Sequence, residues 1–358
     1  MKSMTTILAG LALAGALGQR PAEAAESVTV GFAIPFTVTD GPMFAVAEEL
    51  GYFAAENIDP EFIFLTGAAQ VIPQVASKQI TIGQPLPFPV MAAISGGQDL
   101  PVAYFFNALP MNTIQLGVLA DSDIETLADF EGKSVGVGAL TWGTIPGLRA
   151  MLRATGLEPG AQTDIVPVGI LGSGFQALRN GTVDGLNYNN TWLDLLEASG
   201  TPLRRIELPA TYENMINNAF IAHRDTLEEN PELLAGFGRA YAKALTVCDM
   251  DPAFCVETFW RLFPEQRPTE GDAAENLASA VDLLERRFAL ITPAEAGGAG
   301  AWGRFDHGAI NEYVEFMHAN GEFATTDVPV ETIFSNALAE DFVAFDPVEI
   351  EADIDAAR

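Results

Sequence analysis

The chain has few basic residues, few cysteines and few histidines for its length. Its 358 residues include 18 Lys and Arg against 48 Asp and Glu, which gives a formal net charge of −30, and they include only two Cys and three His. A negative field of this size repels phosphate backbones and anionic lipid head groups, so nucleic acid and membrane surfaces are excluded as partners. Because no His or further Cys stands at ligand spacing from the two cysteines, we expect no metal site.

The chain also lacks the short motifs of several enzyme classes. It contains no Gly-x-Ser-x-Gly, no His-Glu-x-x-His and no Gly-x-x-x-x-Gly-Lys-Ser/Thr phosphate loop. The glycine-rich segment 169–174 (GILGSG) lacks the Gly-x-Gly-x-x-Gly spacing and is interpreted as a turn before a helix. We therefore expect no catalytic residue and no cofactor, and we predict that the protein is not an enzyme.

The first 25 residues indicate where the chain works. Lys2 precedes a short apolar run, Ile7–Leu17, and the small-residue site Ala22-Glu23-Ala24 follows. This order is typical of a secretory signal peptide, and the apolar run is shorter than the roughly 20 residues that span a bilayer. No Cys precedes Cys248, so we expect no lipid anchor. We predict a signal peptide over 1–25 and a periplasmic mature protein that is not inserted in a membrane.

The two cysteines, Cys248 and Cys255, are separated by the six residues DMDPAF. In an oxidising compartment such a pair can form a short-loop disulfide, and the Asp251-Pro252 turn would bring the two residues together. Two free, buried thiols are the alternative that the sequence leaves open.

Strand-like and helix-like runs alternate along the first two thirds of the chain, which predicts an α/β fold with mostly parallel sheets. After the run Leu100–Phe106 the strand pattern restarts at Thr113–Leu119, and from Thr226 onward the chain is mainly helical. This order indicates two lobes that are crossed twice, at Phe106–Thr113 and Pro209–Asn217. Two such crossings form a hinge, and the ligand cleft is expected between the lobes at the carboxyl ends of the strands.

Four stretches of the chain resemble the periplasmic substrate-binding proteins of ABC importers, and more narrowly the nitrate/sulfonate/taurine and thiamine-precursor (NMT1/THI5-like, SsuA-like) family. They are AVAEELGYFAAENIDPEF (45–62), PQVASKQITIG (73–83), TLADFEGKSVGVGALTWGTIPGLRAMLRATGLEPG (126–160) and ALRNGTVDGLNYNNTW (177–192). None of these stretches is specific alone, but all four occur in register.

The resemblance implies a two-lobed, type II periplasmic-binding-protein-like fold and a monomer that carries a small molecule to an ABC transporter permease. We expect lobe 1 to comprise 26–110 and 216–339, lobe 2 to comprise 111–215, and 340–358 to form an acidic C-terminal tail. The family likeness includes pyrimidine-phosphate synthases, but those enzymes are rich in cysteine and are not exported. A secreted ligand-sensing subunit would use the same fold as a carrier.

Candidate ligand-binding residues lie on the loops that follow the strands. They are Phe36, Thr39, Asp40, Gln84, Phe106, Asn107, Trp142, Thr144, Tyr188, Asn189, Trp192 and Asn218. The helix expected to start near Thr144 offers free backbone N–H groups, which suit an anion or a carbonyl.

The composition of these loops indicates the class of ligand. The aromatic side chains could sandwich a planar body, the amides and hydroxyls are neutral, and Asp40 is the one evident charge. No Arg or Lys lies in any of the loops. We therefore expect a small neutral or cationic ligand, such as an aromatic heterocycle of the pyrimidine kind. Nitrate, taurine or an alkanesulfonate remains the alternative, held by N–H and hydroxyl donors at the helix start.

Overall fold

The computed structural model describes residues 25–213, 215–291 and 302–358. The predicted signal peptide lies outside the described residues except for its last position. In the part of the chain that the structure describes, no helix is long and apolar enough to cross a membrane.

The first sheet contains strands from both ends of the described chain. Its strands are β1 (Glu26–Phe32), β2 (Ile58–Phe64), β3 (Ile82–Gln84), β4 (Val102–Phe106) and the late strand β10 (Phe220–His223). They lie in the order β2-β1-β3-β10-β4. β1 pairs in parallel with β2 and β3, whereas β10 runs antiparallel to β3 and β4.

The second sheet is built from one continuous part of the chain. Its strands are β5 (Ile114–Leu119), β6 (Lys133–Val137), β7 (Thr163–Pro167), β8 (Gly185–Asn189) and β9 (Leu203–Ile206). They lie in the order β7-β6-β8-β5-β9, and β5 runs antiparallel to β8 and β9. In each sheet the antiparallel strand, β10 or β5, is next to one edge and is the first strand after the chain crosses over. Both sheets are therefore mixed, whereas the alternation of elements predicted mostly parallel ones.

Helices cover both sheets and form most of the last third of the chain. Those of the first two thirds are α1 (Pro42–Glu49), α2 (Tyr52–Ala55), α3 (Ala68–Ala76), α4 (Phe88–Ser95), α5 (Ile145–Ala154), α6 (Gly172–Arg179), α7 (Asn190–Ala198) and α8 (Ala210–Glu213). The later helices are α9 (Arg224–Glu229), α10 (Pro231–Met250), α11 (Pro252–Leu262), α12 (Ala273–Ile291), α13 (His307–Ala319), α14 (Val330–Ile333), α15 (Ala339–Phe342) and α16 (Pro347–Ala357). Short 3₁₀ turns lie at Leu127–Phe130 and Pro264–Gln266.

The α/β fold with two sheets and two crossings between them is confirmed. Residues 107–113 join β4 to β5, and residues 207–219 join β9 to β10. In the apolar run 215–222, which includes Asn217 and Asn218, strand β10 begins only at Phe220. The two asparagines of that run bond outside the strand pairing, since Asn217 Nδ2 donates to Thr113 Oγ1 and Asn218 Nδ2 donates to the Gln84 carbonyl oxygen. The division into lobes at the predicted residue numbers stays a prediction.

The cysteine pair joins two helices of the C-terminal region. Cys248 near the end of α10 forms a disulfide with Cys255 near the start of α11, across a Cα–Cα distance of 5.5 Å. The Asp251 side chain caps α11 by accepting from the Phe254 N–H at 3.1 Å. The cap and the turn that it stabilises bring the two sulfur atoms together, so of the two possibilities the structure has the disulfide.

The acidic stretch 340–358 is largely helical and packs on the rest of the protein. Ile350 and Ile354 of α16 are buried in the same core cluster as β1 and α10. Tyr52 at the start of α2 donates a 3.0 Å hydrogen bond to the Asp353 carboxylate. The spacing of Ile350 and Ile354 places both on one helical face, which explains why this short acidic helix docks.

Candidate ligand-binding site

A cavity lies between the two sheets and is lined from both sides. The first sheet contributes the loop after β1, residue Gln84 at the end of β3, and parts of α1 and α10. The second sheet contributes the loop after β6, the start of α7, and Asn189 at the end of β8. Residues of both crossings, such as Leu109 and Asn217, close its back. The sequence predicts a ligand cleft at the carboxyl ends of the strands, and this cavity lies there.

Nine of the twelve residues predicted to bind a ligand line this cavity. They are Phe36, Thr39, Asp40, Gln84, Trp142, Thr144, Asn189, Trp192 and Asn218. The topology brings them together, because eight of them lie at or after the carboxyl end of a strand. Asn218 precedes β10, which runs antiparallel to its neighbours, so the start of β10 lies at the same edge of the sheet.

The other three predicted residues are not part of the cavity lining. Phe106 is fully buried, and its ring packs 4.8 Å from that of Phe342. Asn107 is engaged with the segment before α13, since its backbone N–H donates to the Gly303 carbonyl oxygen and its Nδ2 donates to that of Arg304. Tyr188 is fully buried in β8, where its side chain points away from the cavity and its hydroxyl donates to the Gly169 carbonyl oxygen.

Tyr188 nevertheless supports the aromatic side of the cavity from behind. Its ring centroid lies 5.9 Å from that of Trp142 and 5.6 Å from that of Trp192, and the two indoles lie 6.0 Å apart. Gly138 leaves space for this arrangement, because a Cβ there would lie 1.8 Å from the Trp142 ring. The two indoles therefore form a fixed aromatic wall on the side of the second sheet.

The loop before α5 touches the first sheet directly. Thr141 Oγ1 donates to the Thr66 carbonyl oxygen at 2.9 Å, and the Ala69 N–H donates to the Thr141 carbonyl oxygen at 3.5 Å. Gly67, with φ of +87°, lies between these contacts, and a Cβ there would be 2.4 Å from the Thr141 carbonyl oxygen. The structure thus shows the two sides of the cleft in contact at this edge.

Opposite the indoles, a buried ion pair forms part of the wall. Arg287 of α12 is 2% exposed, and its Nη2 lies 3.4 Å from Asp40 Oδ1 and donates to Thr39 Oγ1 at 3.3 Å. The second carboxylate oxygen of Asp40 accepts from the hydroxyls of Thr37 at 2.7 Å and Thr39 at 3.1 Å. The loop after β1 therefore holds the carboxylate, and the carboxylate in turn balances the guanidinium charge.

Three hydrogen-bonding atoms in the cavity lining have no partner among the described residues. They are Arg287 Nε, Trp192 Nε1 and Thr144 Oγ1, all buried. Buried polar groups without partners are rare in folded proteins, and at a cavity wall they mark positions that a ligand satisfies.

Tyr241 of α10 also lines the cavity and stays protonated. Burial raises the pKa of its hydroxyl above the ordinary value, the nearby Asp40 carboxylate raises it further, and Arg287 offsets part of the increase. Its ring is held edge-on against that of Phe220, with centroids 5.0 Å apart. The phenol is a neutral part of the wall throughout the ordinary pH range.

The site prediction from the sequence considers only loops that follow strands. It therefore omits Arg287 and Tyr241, which lie on helices. A signal for Arg287 was present in the sequence of α12. Its buried positions are Ala280, Leu284, Arg287, Phe288 and Ile291, spaced by three and four residues. A basic residue at an apolar position of an amphipathic helix indicates a buried partner or a function. The candidate loops contain no Arg or Lys, but α12 brings the basic side chain of Arg287 to the cavity.

The family model described as NMT1/THI5 like matches residues 40–253, more than half of the chain. The chain belongs to the NMT1/THI5-like family. The matched region contains the whole second sheet, both crossings and most cavity-lining residues, whereas Arg287 lies beyond its end.

One curated relative is the formylaminopyrimidine-binding protein of Halalkalibacterium halodurans. It is 29% identical over 203 residues, which cover 55% of this chain and 59% of that protein. The chain therefore matches somewhat more than half of the length of this relative.

Solved structures of other binding proteins share the fold. The alkanesulfonate-binding protein SsuA from Xanthomonas axonopodis pv. citri has a TM-score of 0.62 at 13% identity, covering 87% of this chain and 99% of that one. The periplasmic nitrate-binding protein NrtA from Synechocystis PCC 6803 has a TM-score of 0.54 at 14% identity, covering 93% and 98%. These likenesses confirm the periplasmic-binding-protein-like architecture, and at such identities they show the fold alone.

Proposed function

We propose that this chain is a periplasmic solute-binding protein that delivers a small organic ligand to an ABC importer by hinge closure. The observation that carries the proposal is the cavity between the two sheets, with an aromatic wall on one side and a buried ion pair on the other. A molecule held there contacts both sheets at once, so its binding stabilises the closed arrangement.

The proposed ligand is a planar heterocycle of the pyrimidine class, such as a thiamine precursor. Trp142 and Trp192 provide aromatic faces, and Thr144, Asn189 and Gln84 provide neutral polar groups in the same cavity. The relative named as a formylaminopyrimidine-binding protein supports this class.

The proposed setting is the periplasm, with a permease of an ABC importer as partner and a monomeric carrier. The predicted signal peptide over 1–25 supports export, and the Cys248–Cys255 disulfide is the form that cysteines adopt in an oxidising compartment. We propose that the ligand is bound and released unchanged, because the relative and the two structural neighbours described above are named for binding. A pyrimidine-synthase-like enzyme remains the disfavoured alternative, and a secreted ligand-sensing subunit uses the same cavity.

One observation favours a second candidate, a carrier of nitrate, taurine or an alkanesulfonate. Arg287 places a guanidinium at the cavity, and buried arginine is a common partner of such anions. Its charge is already matched by Asp40, which makes this candidate the weaker of the two.

A thermal-shift screen of the purified mature protein tests the ligand class. The panel contains pyrimidines, aromatic carboxylates, taurine, alkanesulfonates and nitrate. We expect selective stabilisation by a pyrimidine, with about 2.7 kcal/mol of added stability at a hundredfold excess over the dissociation constant. Small-angle scattering with the stabilising compound should show compaction. Selective stabilisation by nitrate or taurine would transfer the proposal to the second candidate.

A pair of variants in one loop then locates the ligand. Trp142→Ala should weaken binding by about 1–3 kcal/mol, because it removes one aromatic face. Leu140→Ala is the matched control, since Leu140 lies in the same loop, is 56% exposed and does not line the cavity. If the two variants bind the ligand with equal affinity, Trp142 does not contact the ligand.

A further inference from the structure

The cavity contains one positive and one negative side chain among the described residues that line it, Arg287 and Asp40. They form a pair, with Arg287 Nη2 3.4 Å from Asp40 Oδ1. The guanidinium is almost fully buried, and a buried charge is tolerated only where an opposite charge or strong hydrogen bonds compensate it. The wall therefore has no net charge before a ligand enters.

The buried atoms of the wall that lack a partner among the described residues can all donate a hydrogen bond. Arg287 Nε and Trp192 Nε1 can only donate, and neither has a partner in the described chain. Thr144 Oγ1, also without a partner there, can donate as well. Arg287 lies on α12 beside the first sheet, whereas Trp192 and Thr144 belong to the second. A ligand that satisfies these atoms presents acceptors at more than one position.

Asp40 would lose several stabilising contacts if it separated from Arg287. Its carboxylate accepts from the hydroxyls of Thr37 and Thr39 and also faces Arg287, so three groups hold it in place at the cavity. An anionic ligand that reached Arg287 would bring a second negative charge beside Asp40 with one guanidinium to balance both. Like charges in a partly desolvated site repel strongly, whereas a neutral acceptor meets the same donors without that cost.

We propose that the Asp40–Arg287 pair selects the charge class of the ligand. The site takes a neutral planar molecule with carbonyl or ring-nitrogen acceptors at more than one position, and Asp40 discriminates against its anionic counterpart. This inference rests on the proposed function, because it assumes that the cavity is the carrier's ligand site. Asp40 is thus a specificity-determining residue, and Arg287 is the donor that it keeps neutralised.

The test uses two pairs of compounds that differ in charge but little in shape. They are a pyrimidine carboxamide with the corresponding pyrimidine carboxylate, and nicotinamide with nicotinate. Dissociation constants are measured by calorimetry for the wild-type protein, Asp40→Asn and Asp164→Asn. The last variant is the matched control, because Asp164 is an exposed residue of β7 away from the cavity, and its replacement changes the net charge equally.

We expect the wild-type protein to prefer the neutral member of a pair by about tenfold or more. Asp40→Asn leaves Arg287 uncompensated and should reduce or invert this preference by about tenfold, whereas Asp164→Asn should keep it. Arg287→Gln serves if Asp40→Asn does not fold. It should weaken binding of the neutral member and abolish detectable binding of the anion.

The results separate this inference from the proposed function. If a pyrimidine carboxamide binds the wild-type protein but Asp40→Asn leaves the preference unchanged, the charge-selection inference is overturned and the carrier proposal stands. If only nicotinamide binds and its preference over nicotinate shifts as stated, the inference stands and the pyrimidine assignment fails. If the wild-type protein binds the carboxylates as tightly as the carboxamides, Asp40 does not discriminate, and the inference is wrong.

Discussion

Asn217 Nδ2 donates a hydrogen bond to Asn112 Oδ1 at 3.2 Å, and this bond joins the two segments that cross between the sheets. Asn112 Oδ1 also accepts from the Ile114 N–H at 2.9 Å, and its Nδ2 donates to the Tyr212 carbonyl oxygen at 3.0 Å. One side chain therefore fixes the start of β5, the end of α8 and the return crossing. The two hinge segments are bound to each other and should rotate together.

Replacement of Asn112 should loosen this hinge. Asn112→Ala removes these three hydrogen bonds and a fourth, from Nδ2 to the Ile114 carbonyl oxygen, and we expect a loss of about 1–3 kcal/mol in the free energy of unfolding. Denaturant unfolding measures the loss, and small-angle scattering should show a broader range of lobe arrangements without ligand. Asn320→Ala is the control, because Asn320 bonds within its own helix end, at the Phe316 carbonyl oxygen, and lies outside both crossings. Equal scattering curves for the two variants would contradict a shared hinge.

Closure of the cleft should depend on the absence of a side chain at Gly67. Gly67→Ala places a Cβ 2.4 Å from the Thr141 carbonyl oxygen, so the two sides cannot meet as they do here. We expect ligand affinity to fall by about tenfold to a hundredfold, or about 1.4–2.8 kcal/mol. Titration calorimetry measures this with whichever compound stabilises the wild-type protein.

Gly97→Ala is the matched control for that experiment. Gly97 has φ of +83°, close to the +87° of Gly67, but a Cβ there meets no atom within 4 Å. Both variants place an alanine at positive φ, which costs roughly 1 kcal/mol. Gly67 also has ψ of 165°, a region that only glycine adopts readily, so part of any stability loss in Gly67→Ala is backbone strain. A loss of affinity that is equal in both would mean that the Gly67–Thr141 contact plays no part in binding.

Removal of the disulfide should lower stability without changing the site. Cys248→Ala/Cys255→Ala opens a short loop, and the chain-entropy model assigns such a loop about 2.5 kcal/mol. Urea unfolding of the double variant beside the oxidised wild-type protein measures the difference. Ligand affinity should remain within about twofold, because neither cysteine lines the cavity. A large loss of ligand affinity in a variant of unchanged stability would contradict both expectations.

Stability should fall steeply at high pH. Burial raises the pKa of all six tyrosines, which are Tyr52, Tyr104, Tyr188, Tyr212, Tyr241 and Tyr313. The unfolded chain loses these protons near pH 10, while the folded protein retains them. The stabilisation is therefore complete below about pH 10 and is lost as the pH rises beyond it.

A spectrophotometric titration checks this prediction. Tyrosinate absorbance should be absent up to about pH 10 and should then appear together with the loss of far-ultraviolet circular dichroism. Ionisation of one or more tyrosines near pH 10 in a protein that keeps its circular dichroism would contradict it.

Much of the fold could be predicted from the sequence, because it is encoded locally. Period-two alternation in Ser27–Ala33 and helical spacing in Phe88–Ser95 depend on neighbouring residues, and the structure has β1 and α4 at these places. The two crossings also followed from the order of the elements. Eight of the nine cavity residues were found for the same reason, since residues after parallel strands gather at one edge of a sheet.

The remaining features depend on contacts between distant parts of the chain. The antiparallel direction of β5 and β10 depends on where each crossing enters its sheet. The pattern of residues within these strands does not indicate their direction. The sequence predicts that Tyr188 contacts the ligand. In the structure, the alternation of side chains along β8 and the close approach of Gly174 direct its hydroxyl toward Gly169.

Local sequence patterns are sufficient to predict the α/β alternation, the family and most of the strand-end residues of the cleft. The charged side chains of that cleft become evident only from the tertiary structure. Arg287 lies 247 positions after Asp40 in the chain, and packing of α12 against α11, within the core cluster that also contains β1, brings them together. A buried charge needs its counter-charge in space rather than in sequence, so the pair became visible only when the chain was folded.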